Sequence, residues 1–545
     1  MMKNFAKLMA AAATAVMLFS CSSDDNTTPA GGNGDGSVLK ATMGQLTSDG
    51  DIFPSATSTR TTLGDSKEIK WVTGDSINVF DGTQNRRFNV TTVSTDGTSC
   101  TFAGTPLGDD NAATRYVALY PYSMKATYSG GTISGVTLPY VQNAVAGGFD
   151  PACNLMTASA AVGSNLEFNH VCSYIKVKPA FDCSGITVTA DGQQLAGTFD
   201  VTVGTDGTPE VLNVTDASDH IKLVGDMKAG NWYYIAVLPG TYSSGIKVQI
   251  EATTYKDMID WENSRAPLED YSRSTSSTIT TTRAKIKSLG EMKQSDMTSG
   301  GEKYIEFVYM GDGTADINAK TGTRILWAKC NLGAESETED GDYYAWGETQ
   351  PKKSYTKENY LCNNYYPETL DDAHDAATAN LGYGWHMPTA ADIVYLKEHN
   401  IFVYAAGYNG KEGFIVYPGK GDVKDYQKMG DGTVYRYENG CTPKKETVSD
   451  EAVVSYINGL STTAGSDMTH LFFVFAGGKN GTTVSYNAVR YWTNSRGNNP
   501  LISLNDKSSL TAYYWGLDKA AFNIWSYFCP RYTGLSIRPV LEVKW

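Results

Sequence analysis

Histidine is scarce in this chain, with six in 545 residues, and the six are scattered. No H-E-x-x-H run, CxxC pair or Cys/His cluster with ligand spacing occurs, so neither a zinc centre nor a dithiol redox site has a donor set in the sequence. Positive charge is also in deficit: 45 Lys and Arg against 59 Asp and Glu leave a net charge of −14. Nucleic-acid binding needs clustered Lys and Arg, so no nucleic-acid partner is expected. Beyond the first twenty residues, no apolar run reaches the ~20 residues of a membrane helix. Helical periodicity is confined to two short stretches.

What is present favours β structure. Gly reaches 54 and Tyr 34, and Ser and Thr are plentiful. The length exceeds the roughly 250–300 residues at which single cores stop growing, so two or three domains are expected. At the N-terminus, Lys3 and Lys7 precede an apolar run, Leu8 to Phe19, that is too short to span a membrane and ends in "LFSC". This resembles a bacterial lipoprotein signal over residues 1–20, with Cys21 acylated as the first mature residue. Residues 21–37 are acidic and Gly-rich, the composition of a flexible tether. Acid residues just after the lipid cysteine resemble surface-export signals, which implies an outward-facing outer-membrane lipoprotein. Eight cysteines remain after Cys21; their even number permits disulfides in an oxidising compartment, and buried free thiols fit equally well.

From residue 38 to 290 the chain reads as short strands between Gly, Asp and Pro turns. "KWVTGDSINVF", "RYVALYPY", "SYIKVKPAF", "ITVTADG", "NWYYIAVLPG" and "IKVQIEATT" alternate or run apolar for a few residues each. The expectation is one or two β-sandwiches. Trp71, Ile77, Val79 and Phe80 are expected in the core, Gly74-Asp75 in a turn, and His170 and His220 as structural side chains. The polar stretch 291–303 is the expected linker. The ordered set "WVTGDSINVF", "YVALYPY", "TLPYVQ", "NLMTASA" and "LEFNHVCSYIKVK" resembles the fimbrillin-like (Mfa-like) pilin family.

That resemblance implies a precursor cut after an arginine that follows its first strand. A strand from another pilin subunit then fills the vacated groove. Here "SVLKATMGQL" alternates, with Leu39, Ala41 and Met43 on one face and Lys40 and Thr42 on the other. A Ser- and Thr-rich loop follows, and it carries Arg60 and Thr61, an exposed setting where proteolysis succeeds. Cleavage there would also sever the lipid anchor and move the protein from the outer membrane to a fimbrium.

Residues 304–545 use other words. Seven of the ten tryptophans lie here, and "LDDAHDAATANLG" and "PTAADIVYLKEHN" are helical, the second opened by a capping-box pair, Thr389 and Asp392. "ILWAKCNLGA", "GDYYAWGET", "GYGWHMPTAADI", "FFVFAGG" and "GLSIRPV" resemble bacterial C-type-lectin-like domains of the Fibrobacter-type paralogous family. His386 stands where that family commonly has arginine. The fold class expected for the whole is therefore mainly β, with fimbrillin-type sandwiches followed by an α+β C-type-lectin-like domain. Calcium needs six to eight oxygen ligands, and the tripeptides that supply them in sugar-binding lectins are missing, so no metal or other cofactor is expected. No catalytic constellation is expected either.

Tyr, Trp, Asn, Ser and Arg crowd residues 491–532, the composition of a binding surface. Tyr491, Asn494, Arg496, Asn498, Tyr513, Tyr514 and Arg531 are the candidate surface ligands for a host or bacterial surface protein or a glycan, while Trp515 and Trp525 are expected in the core. The terminal "GLSIRPVLEVKW" reads as a closing strand with nothing left to donate, which would place such a pilin at a fibre tip. The alternative is a permanently anchored lipoprotein that binds glycan or protein without polymerising.

Overall fold

The computed structural model describes residues 38–53, 69–82, 84–104, 114–254, 258–301, 303–310, 323–362, 367–418, 426–428, 433–438, 442–447, 470–486, 488–496, 511–518 and 525–544. The protein is mainly β. All six strand-like stretches of the first half contain strands. Strands β1 (Val38–Met43), β3 (Ser76–Asp81), β4 (Gln84–Val93), β5 (Ser99–Gly104) and β6 (Arg115–Tyr120) join Met156–Ala161 and Leu166–His170 in a closed barrel. Strand β2 (Thr47–Asp51) leaves it for the next layer.

The barrel closes because β1 is bonded on both edges, antiparallel to β5 and parallel to Leu166–His170. Alternate residues of each strand point inward, and the interior fills with Leu39, Met43, Ile77, Val79, Phe88, Phe102, Leu166 and Phe168. Trp71 plugs this core, with its ring edge-on to Phe102, Tyr120 and Phe168 at 5.1–5.4 Å. Gly74 makes the turn into β3 at φ 106°, a conformation that side chains disfavour.

A second lobe is built from a four-stranded sheet ending in β2 and a six-stranded sheet that contains Cys183–Thr189, His220–Met227 and Ile246–Ala252. Residues of both sheets, with those of Ala196–Val203 and Thr132–Leu138, share one large core that includes Leu46, Tyr174, Ile186, Leu223 and Ile250. Cys153, Cys172 and Cys183 are buried in it. All seven described cysteines beyond Cys21 are free thiols, and Cys441 lies outside the described residues.

In the second half, helices α1 (Ala376–Leu381) and α2 (Ala390–His399) accompany several small sheets. The capping box of α2 is present: Thr389 Oγ1 accepts from Asp392 N at 3.1 Å, and Asp392 Oδ2 accepts from Thr389 N at 2.7 Å. Helix α1 is shorter than its sequence pattern. Asp375 ends the extended approach as N-cap, its carboxylate accepting from the amides of Ala377 and Thr378 and from that of Met387.

The stretch 291–303 is not a free linker. It contains a short 3-10 turn, Gln294–Asp296, and the strand Thr298–Ser299, which pairs with Asp270–Thr275. Arg265–Pro267 of the first half pairs with Tyr304–Tyr309 of the second, and Ile259 and Ala266 share a core with Phe307, Leu326, Trp385 and Leu541. Elsewhere Lys125 Nζ donates to the carbonyls of Tyr360 and Leu361 at 3.2 and 3.1 Å, and Asn143 Oδ1 accepts from Ala373 N at 3.0 Å. The two halves are joined by a sheet, an apolar core and hydrogen bonds.

Asp372 sits in this seam, 3.5 Å from where a Cβ on Gly225 would lie. Burial, reinforced by Asp375 and Asp371, pushes its carboxyl up to about 6. The folded state therefore holds this proton more tightly than the unfolded chain. The contribution is fully present below the ordinary value of 3.8 and is lost as pH rises through about 6. Asp372→Asn is expected to stabilise the seam at neutral pH by up to about 2 kcal/mol. Hydrogen exchange of the amides in Val141–Asn143 and His220–Met227 should show it, and the decline in protection above pH 4 should disappear.

Candidate functional site

The site begins with a seam of alternating side chains. In β1, Leu39, Ala41 and Met43 are buried while Val38, Lys40 and Thr42 are exposed, as the sequence alternation predicts. The register sets Leu39 opposite Phe102, and Ala41 between Cys100 on one side and Leu166 on the other. After β1 the chain crosses from the barrel to the second lobe through Gly44, whose amide donates to Phe168 O at 2.8 Å. Strand β2 then runs parallel to Lys285–Met292, with Thr47 opposite Lys285 and Asp51 opposite Ser288.

Leu46, Ile52 and Phe53 are buried in the second lobe's core, and the guanidinium of Arg273 covers the Phe53 ring at 4.4 Å. One short N-terminal segment thus completes two cores. Each of Leu39, Met43, Leu46, Ile52 and Phe53 contributes about 1.5–3 kcal/mol by burial. Lys285 Nζ donates to Thr47 Oγ1 at 2.7 Å, and Lys287 Nζ lies 2.8 Å from Asp49 O and 3.3 Å from Asp49 Oδ2.

His170 holds the crossing. It is 1% exposed, its Nε2 lies 2.9 Å from Gly44 O, and its Nδ1 lies 3.3 Å from the Tyr174 hydroxyl. The pairing fits a neutral ring in which Nε2–H donates to the Gly44 carbonyl and Nδ1 accepts from Tyr174. Arg283 Nη1 donates to the His170 carbonyl at 3.2 Å. The sequence identified His170 as structural; its grip on a residue of the first segment is a long-range contact that the sequence does not announce.

Burial, with Arg283 nearby, pulls the His170 imidazole down from 6.5 to about 4. The unfolded chain then binds the extra proton between those values. The contribution is present above 6.5 and is lost as pH falls through about 4, by at most about 3 kcal/mol. Acidification is expected to loosen the first segment. Amide exchange of β1 and β2 should accelerate below pH 6, and His170→Gln should flatten that dependence.

Arg60 and Thr61, in the stretch between Phe53 and Ile69, lie outside the described residues; Cys21 and Asn498 also lie outside them.

The aromatic segment of the second half forms a three-stranded sheet, Ala488–Trp492, Thr511–Asp518 and Trp525–Pro530. Two of its expected surface residues are instead interior. Tyr491 is 0% exposed, stacked on Trp515 at 5.6 Å; its hydroxyl donates to Val474 O at 3.2 Å and accepts from Asn331 Nδ2 at 3.1 Å. Arg531 is also 0% exposed, its guanidinium 5.5 Å from the Trp346 ring and 5.6 Å from that of Tyr360. Both serve packing because the polar end of each side chain points into an aromatic core.

Asn494, Arg496, Tyr513 and Tyr514 are half-buried. Asn494 is tied by its backbone to Pro388 and Leu370, and Arg496 N donates to Glu368 O. Tyr513 O accepts from Thr493 Oγ1 at 3.0 Å, and Tyr514 lies 6.0 Å from the Arg490 guanidinium. Trp515 is in the core as expected. The side chain of Trp525 lies outside what is described.

Sequence reasoning passed over a cleft of about 220 Å³ beside this sheet, lined by Asp340, Lys411, Glu412, Val474, Phe475 and Tyr486. Tyr486 is 60% exposed, and burial pushes the Asp340 carboxyl up. An exposed tyrosine beside a carboxylate and a lysine can stack on and hydrogen-bond to a polar ligand. Among the described residues, no group of three or more His, Cys, Asp or Glu is placed to hold a metal ion, and no helix is long and apolar enough to cross a membrane.

No family model matches the chain, and no curated protein matches it. Among solved structures it is similar to a fimbrial protein from Bacteroides ovatus, at 13% identity and TM-score 0.23, over 93% of this chain and 99% of that one. It is also similar to a candidate cell adhesion protein from Bacteroides uniformis, at 17% identity and TM-score 0.28, over 49% and 98% of the two chains. A fimbrial assembly protein from Parabacteroides distasonis is similar at 14% identity and TM-score 0.16, over 40% and 96%.

Proposed function

We propose that this protein is a subunit of a surface fimbrium, completed as a precursor by its own first strand. Cleavage between Arg60 and Thr61 makes it competent to assemble. One observation carries the reading: β1, which precedes Arg60 in the chain, closes the barrel by bonding to strands on both of its edges. Its removal uncovers β5, Leu166–His170 and the apolar side chains between them, and a strand from another subunit fills such a groove by strand addition. The departing segment carries Cys21, so the same cut frees the subunit from a lipid anchor in the outer membrane.

In this reading residues 38–290 are the assembling part. Residues 304–545, as a C-type-lectin-like domain, bind a host or bacterial surface protein or a glycan. No catalytic role is proposed. A fibre-tip position is part of this proposal, and Val540–Lys544 is held on both edges, by Thr323–Ala328 and by Trp385–His386.

Immunogold microscopy of fimbriae from cells producing the wild type and Arg60→Ala tests this. Label at fibre ends for the wild type and in the membrane for the variant is expected. Label along the fibre refutes the tip position. Membrane label for both proteins replaces this reading with the anchored binder.

A further inference from the structure

We propose that the path now held by residues 38–53 selects its occupant at the crossing between the lobes: it favours a replacing strand that carries glycine where Gly44 sits. The inference rests on the strand replacement proposed above. It names the partner as an extended segment of another polypeptide with apolar residues at alternate positions, then glycine, then a polar stretch bearing an acid.

Three features of the path read these three parts. In the barrel, the inward positions of Leu39, Ala41 and Met43 face a core lined by Phe102, Leu166 and Phe168. At the crossing, a Cβ on Gly44 would stand 3.0 Å from the Phe168 carbonyl oxygen and 3.9 Å from the His170 ring. That carbonyl also receives the Gly44 amide at 2.8 Å, so it is fixed by the bond it makes. The Gly44 carbonyl, in turn, is the partner of His170 Nε2 at 2.9 Å. The backbone is gripped from both sides, and a side chain fits only if the held Phe168 carbonyl gives by a few tenths of an ångström, so the close approach favours glycine. In the second lobe, Lys285 and Lys287 flank β2 and meet Thr47 and Asp49, so the occupant's polar stretch is matched to positive charge.

Having no side chain at the crossing, the glycine also fixes register. A shift by one residue would turn the alternating apolar set outward and bring a side chain against Phe168 O. His170 is a positioning residue in this scheme.

The test uses the full chain with a site-specific protease sequence placed within residues 54–68, cut so that the first segment stays bound without a covalent link. The nicked protein is challenged with fluorescent peptides covering residues 37–53, in native form and with Gly44→Val or Asp49→Lys. The native peptide should exchange into the path. Gly44→Val should bind about ten- to hundredfold more weakly, the cost of overpacking a fixed backbone. Asp49→Lys should bind several-fold more weakly at low salt, roughly the worth of an exposed ion pair. In a His170→Phe host, the preference for glycine should narrow, and His170→Gln should keep more of it.

Equal binding of the native and Gly44→Val peptides overturns the inference and leaves strand replacement standing. Failure of every peptide to exchange, even in mild denaturant, overturns strand replacement and the inference together.

Discussion

Replacing Arg538 by methionine will cost the second half about 3–5 kcal/mol, because several buried neutral acceptors lose their donor at once. Arg538 is 0% exposed, yet every part of its guanidinium has a partner. Nε donates to Asn331 Oδ1 at 2.8 Å, Nη1 to the carbonyls of Ala328 and Lys329, and Nη2 to Phe472 O at 2.8 Å. The Phe473 ring lies 4.7 Å from its centre. These acceptors come from two separated stretches of chain, so one side chain ties the end of the Thr323–Ala328 strand with the turn after it, and Leu471–Val474, to the segment that leads into Val540–Lys544. Methionine fills a similar volume but supplies no donor, and each stranded acceptor costs about 1–3 kcal/mol. Lysine should rescue little, because an ammonium cannot match a planar fork. Hydrogen exchange of Thr323–Ala328 and Leu471–Val474 reports the loss locally. Protection within about 1 kcal/mol of wild type would contradict this account of Arg538.

The second large effect is expected at the barrel seam. Ala41→Asp will release the first segment from an otherwise folded protein. Ala41 is 1% exposed, faces the interior beside Leu39 and Met43, and has Cys100 and Leu166 as its cross-strand neighbours. A carboxylate there meets no cation, and leaving it buried and unpaired is more costly than undocking β1. Amides of Ser99–Gly104 and Leu166–His170 that are bonded to β1 should then exchange rapidly, while those of Cys183–Thr189 keep their protection. Unchanged protection along both flanking strands would mean that β1 does not close the barrel. Loss of protection throughout would mean that the protein cannot stand without it.

How much of this was legible follows from the range of the interactions. The alternation of Leu39, Ala41 and Met43, the turn at Gly74-Asp75 and the capping box of Thr389 and Asp392 are local patterns, and each has its expected place. Barrel closure is not local. The parallel pairing of β1 with Leu166–His170 joins segments with five other barrel strands between them in the chain, and no local pattern names the partner. The same applies to His170 and Gly44. In the second half, composition misled: Tyr and Arg serve binding surfaces and aromatic cores alike, and the network of Asn331, Val474 and Trp515 that turns Tyr491 inward is spread over the chain. Exposed Tyr486 was missed because a lone tyrosine in a polar hairpin carries no periodicity.

Whether the protein is cut after Arg60 is decided by the N-terminal sequence and intact mass of the protein recovered from its native cell surface. A chain that starts at Thr61 is expected, with β1 and β2 gone and the barrel groove filled by another subunit. A chain that starts at an acylated Cys21 and still contains residues 38–59 would contradict it.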